Sequence, residues 1–343
     1  MSKSIAVLGA GSWGLTLAEL LNNNGHTVTV WEFNPDAAAK LINERFLLFF
    51  PQLKLHKDIA ITPDIASACS GKDFIVIALP SHTVRLSMQA LKHSATDIGK
   101  TIFISATKGI ENETLKRMSQ IIVDEIPTAA GRIVVLSGPT HAEEVQAKIP
   151  TAATIASANS NPAEAAREIL STPYFRLYTH SDVAGVETGA SLKNIFAIAA
   201  GICDGMGLGD NTKAALVTRG LREMVKLGVT MGGQPTTFFG LTGLGDLIVT
   251  CFSRHSRNRA LGERLGRGEN ATDAERKLVM VAEGVKTSKS AHDLAKKYQL
   301  DLPIITEVYR VLFEAKEPKV AVEELMARES KPETMPGLDG LVL

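Results

Sequence analysis

A chain of 343 residues exceeds one typical hydrophobic core, so its length argues for two domains. It has the make-up of a globular protein, with 45% hydrophobic and 22% charged residues, and its 37 basic and 37 acidic residues cancel, which argues against a nucleic-acid or anionic-membrane partner. The three cysteines, Cys69, Cys203 and Cys251, form no CxxC pair, and the eight histidines show no HxH or HxxxH spacing, so neither a disulfide framework nor a bound metal is expected. The amino terminus runs from Met1-Ser2-Lys3 directly into an apolar strand without the zones of a signal peptide. The longest apolar run, Ile195 to Ile202, is far short of a membrane span, so a cytoplasmic protein without membrane insertion is expected.

Up to about residue 180, β-branched runs alternate with helical stretches, the pattern of a parallel sheet covered on both faces. The pattern predicts strands at Ile5–Leu8, Thr27–Trp31, Ile59–Thr62, Phe74–Leu79, Thr101–Ser105, Ile133–Ser137, Ala152–Ala156 and Tyr174–Tyr178. The first strand ends in Gly9-Ala10-Gly11-Ser12-Trp13-Gly14, a GxGxxG spacing that opens a helix. Gly9 permits the tight turn, Gly11 lets the backbone approach a pyrophosphate, and Gly14 lets helix and strand pack closely. The second strand ends at Glu32, near where an acid that binds ribose is expected. The aromatic stretch Arg45-Phe-Leu-Leu-Phe-Phe-Pro51 reads as a loop folded over this domain with some of its rings buried; the alternative is a partner-binding site. Lys108 follows the fifth strand, and Gly138 and Thr140 follow the sixth; carboxyl ends of strands are where open α/β sheets bind ligands, although each residue also suits an ordinary turn.

From Asp182 onward the strand signal disappears, and Val186 to Met206 and Thr212 to Met231 carry helical periodicity. The fold class is therefore α/β: an N-terminal Rossmann-type parallel-sheet domain over 1–180, an all-helical domain over 181–330, and an extended or mobile tail over 331–343. In the helical half, Lys193 stands among small and apolar neighbours. Its helical neighbours Gly189, Ala190, Phe196 and Ala197 include no acid, so it lacks the usual surface ion-pair partner, and the small residues would leave room for a ligand. The alternative is a solvated lysine. Downstream, Gly240-Leu-Thr-Gly-Leu-Gly-Asp246 is dense enough in glycine for close backbone approach, and Asp246 needs a partner if buried. Ser256, Arg257 and Asn258 then open a helix whose N–H groups, with a guanidinium, match a phosphate or carboxylate; a plain capped helix is the other reading.

Five blocks, GAGSWG, ATKGIE, SGPTHAEE, the LKN helix, and GLGDL with its downstream SRN, occur in an order that resembles the NAD(P)-dependent glycerol-3-phosphate dehydrogenases of bacterial type. The resemblance runs from Gly9 to the Val281-Ala-Glu-Gly-Val-Lys segment. It implies that Lys193 is the proton acceptor for a C2 hydroxyl, and that Lys108, Gly138, Thr140, Asp246, Ser256, Arg257 and Asn258 surround a phosphorylated small-molecule substrate. It further implies cofactor contacts from Ser12, Trp13, Phe33, Lys108, Ala142, Arg257, Val281 and Glu283, and orienting roles for Asn194 and Thr250.

The implied reaction interconverts sn-glycerol 3-phosphate and dihydroxyacetone phosphate and feeds glycerophospholipid synthesis; the implied assembly is a homodimer. Many relatives carry a cation after the second strand where this chain has Phe33 preceded by Glu32, so use of both NAD and NADP is expected. The loop from Arg45 to Pro51 is longer than is usual in that family. The rival readings are a dehydrogenase of the 6-phosphogluconate or hydroxy-acid type and a dinucleotide sensor without turnover, the latter disfavoured because a sensor needs no proton donor.

Overall fold

The computed structural model describes residues 1–94, 96–278, 281–330 and 333. The reading of 331–343 as an extended or mobile tail lies outside the described residues, Glu333 excepted. All eight predicted strands are present: β1 Ser4–Leu8, β2 Thr27–Trp31, β3 Ala60–Thr62, β4 Phe74–Ile77, β5 Ile102–Ser105, β6 Ile133–Ser137, β7 Thr151–Ala156 and β8 Phe175–His180. They form one sheet in the order β3-β2-β1-β4-β5-β6-β7-β8. Here β4 stops two residues before the predicted Leu79, because the Leu79 backbone turns to the Thr107 hydroxyl instead of a neighbouring strand.

The sheet is not wholly parallel. Strand β7 runs antiparallel to β6, with Ser137 opposite Thr154, while all other neighbouring pairs are parallel. A parallel return needs a crossover that carries the chain back along the strand. Between β6 and β7 the only helix is Ala142–Gln146, with five residues, or about 7 Å of helical rise against about 20 Å for a six-residue strand. The chain folds straight back. Between β7 and β8 the 11-residue helix Ser160–Leu170, about 16 Å of rise, helps carry the chain back along the strand, and the pair is parallel.

The strand order reverses direction at β1, which lies between β2 and β4. That is the switch point at which such sheets open a crevice beyond their carboxyl ends, and the glycine loop follows β1 there. The loop after the helix Pro35–Glu44 is closed by Arg45, whose guanidinium donates to the carbonyls of His56 and Ile59. Phe50 is buried with Leu53 and Leu55 in the core of the sheet's unit, whereas Leu48 and Phe49 are exposed.

Two compact units divide the chain: Met1–Thr107 with Met118–Val183, and Lys108–Arg117 with everything from Ala184 onward. The inclusion of Lys108–Arg117 in the second unit departs from an unbroken 1–180 domain. Ile110, only 1% exposed, packs into the helical core, so the segment has its apolar anchor there. The second unit is otherwise helical, as expected, and its long helices are Val183–Met206 and Gly209–Thr230. The former is buried on nearly all sides, as befits a central helix that is apolar all round. Among the described residues no helix is long and apolar enough to cross a membrane.

Candidate active site

In the sheet unit, Gly9 has φ +109°, and a Cβ there would fall 2.6 Å from the Ala78 carbonyl oxygen. A Cβ on Gly14 would fall 2.0 Å from the Gly9 carbonyl oxygen, so helix Ser12–Asn23 meets the loop backbone to backbone. Gly11 differs: no atom lies within 4 Å of where its Cβ would be, and as the N-cap it offers no side chain to the first N–H groups of the helix. A turn of this form, open on the helix-terminal side, fits the pyrophosphate of a dinucleotide. Glu32 accepts the Asn34 N–H at 3.1 Å and is hydrogen-bonded to the Ala10 backbone, so its carboxylate is tied to the glycine loop. Burial raises its pKa and these two backbone bonds oppose the rise. Phe33 is 70% exposed and Trp13 is half-buried, while Ser12 and Ala142 are buried. Asn34 uses its side-chain oxygen to cap helix Pro35–Glu44.

Gly138 has φ +144°, and a Cβ there would lie 2.9 Å from the Ala153 Cα, so the fold itself requires glycine at the β6–β7 reversal. The Thr140 hydroxyl donates to the Gly138 carbonyl at 3.2 Å.

The helical unit gathers Lys108, Lys193 and Thr250 around one carboxylate, that of Asp246. Lys193 is 6% exposed and Asp246 1%. The Lys193 ammonium pairs with Asp246 Oδ1 and donates to Thr250 Oγ1 at 2.8 Å; Lys108 Nζ lies 2.8 Å from Asp246 Oδ2. The Thr250 hydroxyl donates in turn to the Asp246 carbonyl oxygen at 2.6 Å. Lys193 is thus not without an acidic partner, as its helix alone implied: the acid arrives from a different helix, Asp246–Phe252. Nor do the small residues next to it leave only a void. A Cβ on Gly189 would lie 3.1 Å from the Thr242 carbonyl oxygen, and Thr242 Oγ1 donates to the Val186 carbonyl at 2.9 Å. The glycine-rich turn fills that space and delivers Asp246 to Lys193.

Burial outweighs the other influences on Lys193 and lowers its pKa to about 7; Asp246 works against the fall and Lys108 adds to it. Burial alone would raise the pKa of Asp246, but the two ammonium groups outweigh it and hold the carboxyl below its usual range.

Ser256 caps helix Arg257–Gly266 through the Arg259 N–H at 3.2 Å, as its position predicts. The Asn258 side chain faces inward, donating to Asn194 Oδ1 and accepting the Gly284 N–H, both at 2.9 Å. This link depends on close helix packing, since a Cβ on Gly262 would fall 1.9 Å from the Ile198 carbonyl oxygen. Arg257 is exposed and donates to the Val281 carbonyl at 3.0 Å; Val281 is exposed, and Glu283 starts the next helix, Glu283–Lys297. Sequence reasoning passed over Glu187, which is buried on the Lys193 helix and paired with Arg117 at 2.5 Å. An acid inside an apolar run was the available signal.

Two family models match the chain. Residues 4–163 match the N-terminus of NAD-dependent glycerol-3-phosphate dehydrogenase and residues 182–323 match its C-terminus. The chain belongs to this family. Glycerol-3-phosphate dehydrogenase [NAD(P)+] from Syntrophotalea carbinolica is 47% identical over 96% of this chain and 99% of its own, and the Fusobacterium nucleatum protein of the same name is 46% identical over 96% and 98%. A crystal structure of glycerol-3-phosphate dehydrogenase from Coxiella burnetii superposes with a TM-score of 0.91 at 36% identity, covering 95% of this chain and 99% of that one. D-mandelate dehydrogenase, a hydroxy-acid enzyme, shares only the fold, with 12% identity and a TM-score of 0.60 over 93% of this chain and 99% of its own.

The site predicts a pH-dependent cost for Asp246→Asn. Without the carboxylate, burial and Lys108 act unopposed and the folded-state pKa of Lys193 drops below about 7, while an unfolded lysine stays protonated to about 10.4. At about pH 6 the variant must surrender, or hold uncompensated, a proton that the parent retains; above pH 7 both hold a neutral amine and that part of the difference disappears. Removal of one partner of a buried pair costs about 3–5 kcal/mol, so urea unfolding is expected to show a deficit of that order near pH 6 that narrows near pH 8.5. A deficit that is constant or widens with pH contradicts the assignment.

Proposed function

We propose that this chain interconverts sn-glycerol 3-phosphate and dihydroxyacetone phosphate, with NAD or NADP as the redox partner. The observation that carries the reading is the buried Lys193, whose pKa of about 7 suits a group that exchanges a proton near neutrality. A bound nicotinamide supplies the hydride acceptor in oxidation and the donor in reduction. In oxidation Lys193 accepts the proton of the C2 hydroxyl through its neutral amine; in reduction its ammonium protonates the developing alkoxide. Asp246 and Thr250 fix the direction of its Nζ, and Lys108 favours the neutral form and offers a second cation to the substrate. The exposed Arg257 guanidinium and the first N–H groups of its helix suit the substrate phosphate. With its side chain engaged by Asn194 and Gly284, Asn258 contributes mainly by holding that helix end in register.

The assignment of Gly138 and Thr140 to substrate, and of Ser12, Trp13, Phe33, Ala142, Val281 and Glu283 to cofactor, rests on family resemblance. The same resemblance supports a cytoplasmic homodimer that supplies glycerophospholipid synthesis. The deciding assay is oxidation of NADH and NADPH by purified protein with dihydroxyacetone phosphate. No oxidation of either overturns the reading.

Oxidation of glycerol 3-phosphate is expected to rise with pH and level off above about 7, with reduction losing activity across the same window, because the two directions need opposite protonation states of Lys193. Lys193→Met should lower kcat by about 10²–10⁴-fold while a fluorescence titration still shows dinucleotide binding; near-normal turnover removes Lys193 from the mechanism. Arg257→Ala should weaken substrate binding by about 1.5–3 kcal/mol and erase most of the preference for dihydroxyacetone phosphate over dihydroxyacetone. If that preference survives, the phosphate is bound elsewhere. Phe33→Arg should shift the kcat/KM ratio toward NADPH by placing a cation beside the ribose 2′ position; an unchanged ratio means that Phe33 does not face the ribose.

A further inference from the structure

The segment that presents Lys108 is built as a strap. The chain leaves the sheet unit after Thr107 and returns to it at Met118, and the residues between, Lys108–Arg117, belong to the helical unit. The strap is closed on itself: Ile110 and Arg117 form an antiparallel bridge, the Glu111 N–H donates to the Lys116 carbonyl at 3.0 Å, and the Leu115 N–H donates to the Glu111 carbonyl at 3.0 Å. It is also tied down at both ends. Near its start, the buried Ser290 hydroxyl lies 2.9 Å from the Ile110 carbonyl oxygen and bonds the Asn112 side chain, while Ile110 is sunk in the helical core. At its end, Arg117 pairs with the buried Glu187 at 2.5 Å.

These anchors limit where Lys108 can be. Ile110 follows Lys108 by two residues, and two residues of extended chain span at most about 7 Å. A fixed Ile110 backbone therefore confines the Lys108 backbone to a small volume. A lysine side chain is rich in rotamer entropy, and a loose strap would add backbone freedom on top of it. The 2.8 Å contact of Lys108 with Asp246 then has to be held against both.

We propose that Arg117, Glu187 and Ser290 are positioning residues for the reaction, which hold the strap so that Lys108 stays on Asp246 beside Lys193. This rests on the assignment of Lys108 and Lys193 to the reacting site under the proposed function. The ion pair and the hydroxyl bonds act on catalysis through the place they give Lys108. A merely structural role would act on the whole unit, with or without Lys108.

A double-mutant cycle separates the two. Arg117→Met and Ser290→Ala are each made in the parent chain and in Lys108→Met, and kcat/KM for dihydroxyacetone phosphate with NADH is measured alongside dinucleotide affinity and Tm. Since small misplacements of catalytic groups can cost up to about 10²-fold, each anchor variant should lose about tenfold or more in the parent chain, with dinucleotide affinity unchanged. Arg117→Lys should recover most of the loss. In the Lys108→Met background the same substitutions should change kcat/KM by less than about twofold, because the residue they position is gone. Losses that multiply across the two backgrounds, or anchor variants with parental activity, overturn the proposal while leaving Lys108 in the site. A Lys108→Met variant with parental activity overturns instead the assignment of Lys108, and the strap with it. If Arg117→Met does not fold, Ser290→Ala, which deletes one hydroxyl, carries the cycle.

Discussion

One carboxylate shared between two lysines governs the helical unit. Asp246 is buried with Lys193 on one oxygen and Lys108 on the other. A charge this deep is tolerated only when it is paired and hydrogen-bonded, and three segments serve that requirement. The glycine-rich turn Leu241–Gly245 lets the backbone pass close to Gly189 so that Asp246 reaches Lys193; Thr250, one turn later on the same helix, takes a further proton of the Lys193 ammonium; and Lys108 comes from the excursion between β5 and helix Met118–Glu125. Two cations on one anion leave an excess of positive charge. Burial favours release of a proton from Lys193 and Lys108 adds to it, while Asp246 opposes it, and the balance lowers the Lys193 pKa toward neutrality.

A second constraint is steric and recurs in both units. Where a functional backbone must come close to another backbone, the chain has glycine: Gly9 and Gly14 where the first helix meets β1, and Gly262 where the helix led by Arg257 crosses the helix that carries Lys193. In the last case the close crossing allows Asn194 and Asn258 to bond across the two helices. Local geometry at one helix terminus is thereby fixed relative to Lys193 by packing rather than by a long side chain.

Much of this was legible from the sequence. The eight strands show as β-branched runs with turn residues between them, and the glycine loop reads directly because its spacing reports a backbone shape. Ser256 as an N-cap is likewise a local matter of one hydroxyl and the N–H three residues ahead. The antiparallel direction of β7 is not legible in the sequence because it is set by the path of the connection and not by the strand's own residues. Lys193 looked unpaired because only its helical neighbours can be counted from sequence, whereas its acid comes from another helix. Glu187 went unnoticed because its partner Arg117 lies in a segment that pattern alone assigns to the sheet domain.

The fold class, the glycine turn after β1, the Ser256 cap and the family are readable from the linear chain. These are properties of short windows, in which periodicity, glycine spacing and capping fix the backbone within a few residues. Which charge meets which is settled by packing: Lys193 and Lys108 converge on Asp246, Asn258 turns inward to Asn194, and Lys108–Arg117 belongs to the helical unit. The reason is physical. Burial and long-range pairing set the electrostatic energy of a site, and both are created when distant segments pack, so no local window contains them.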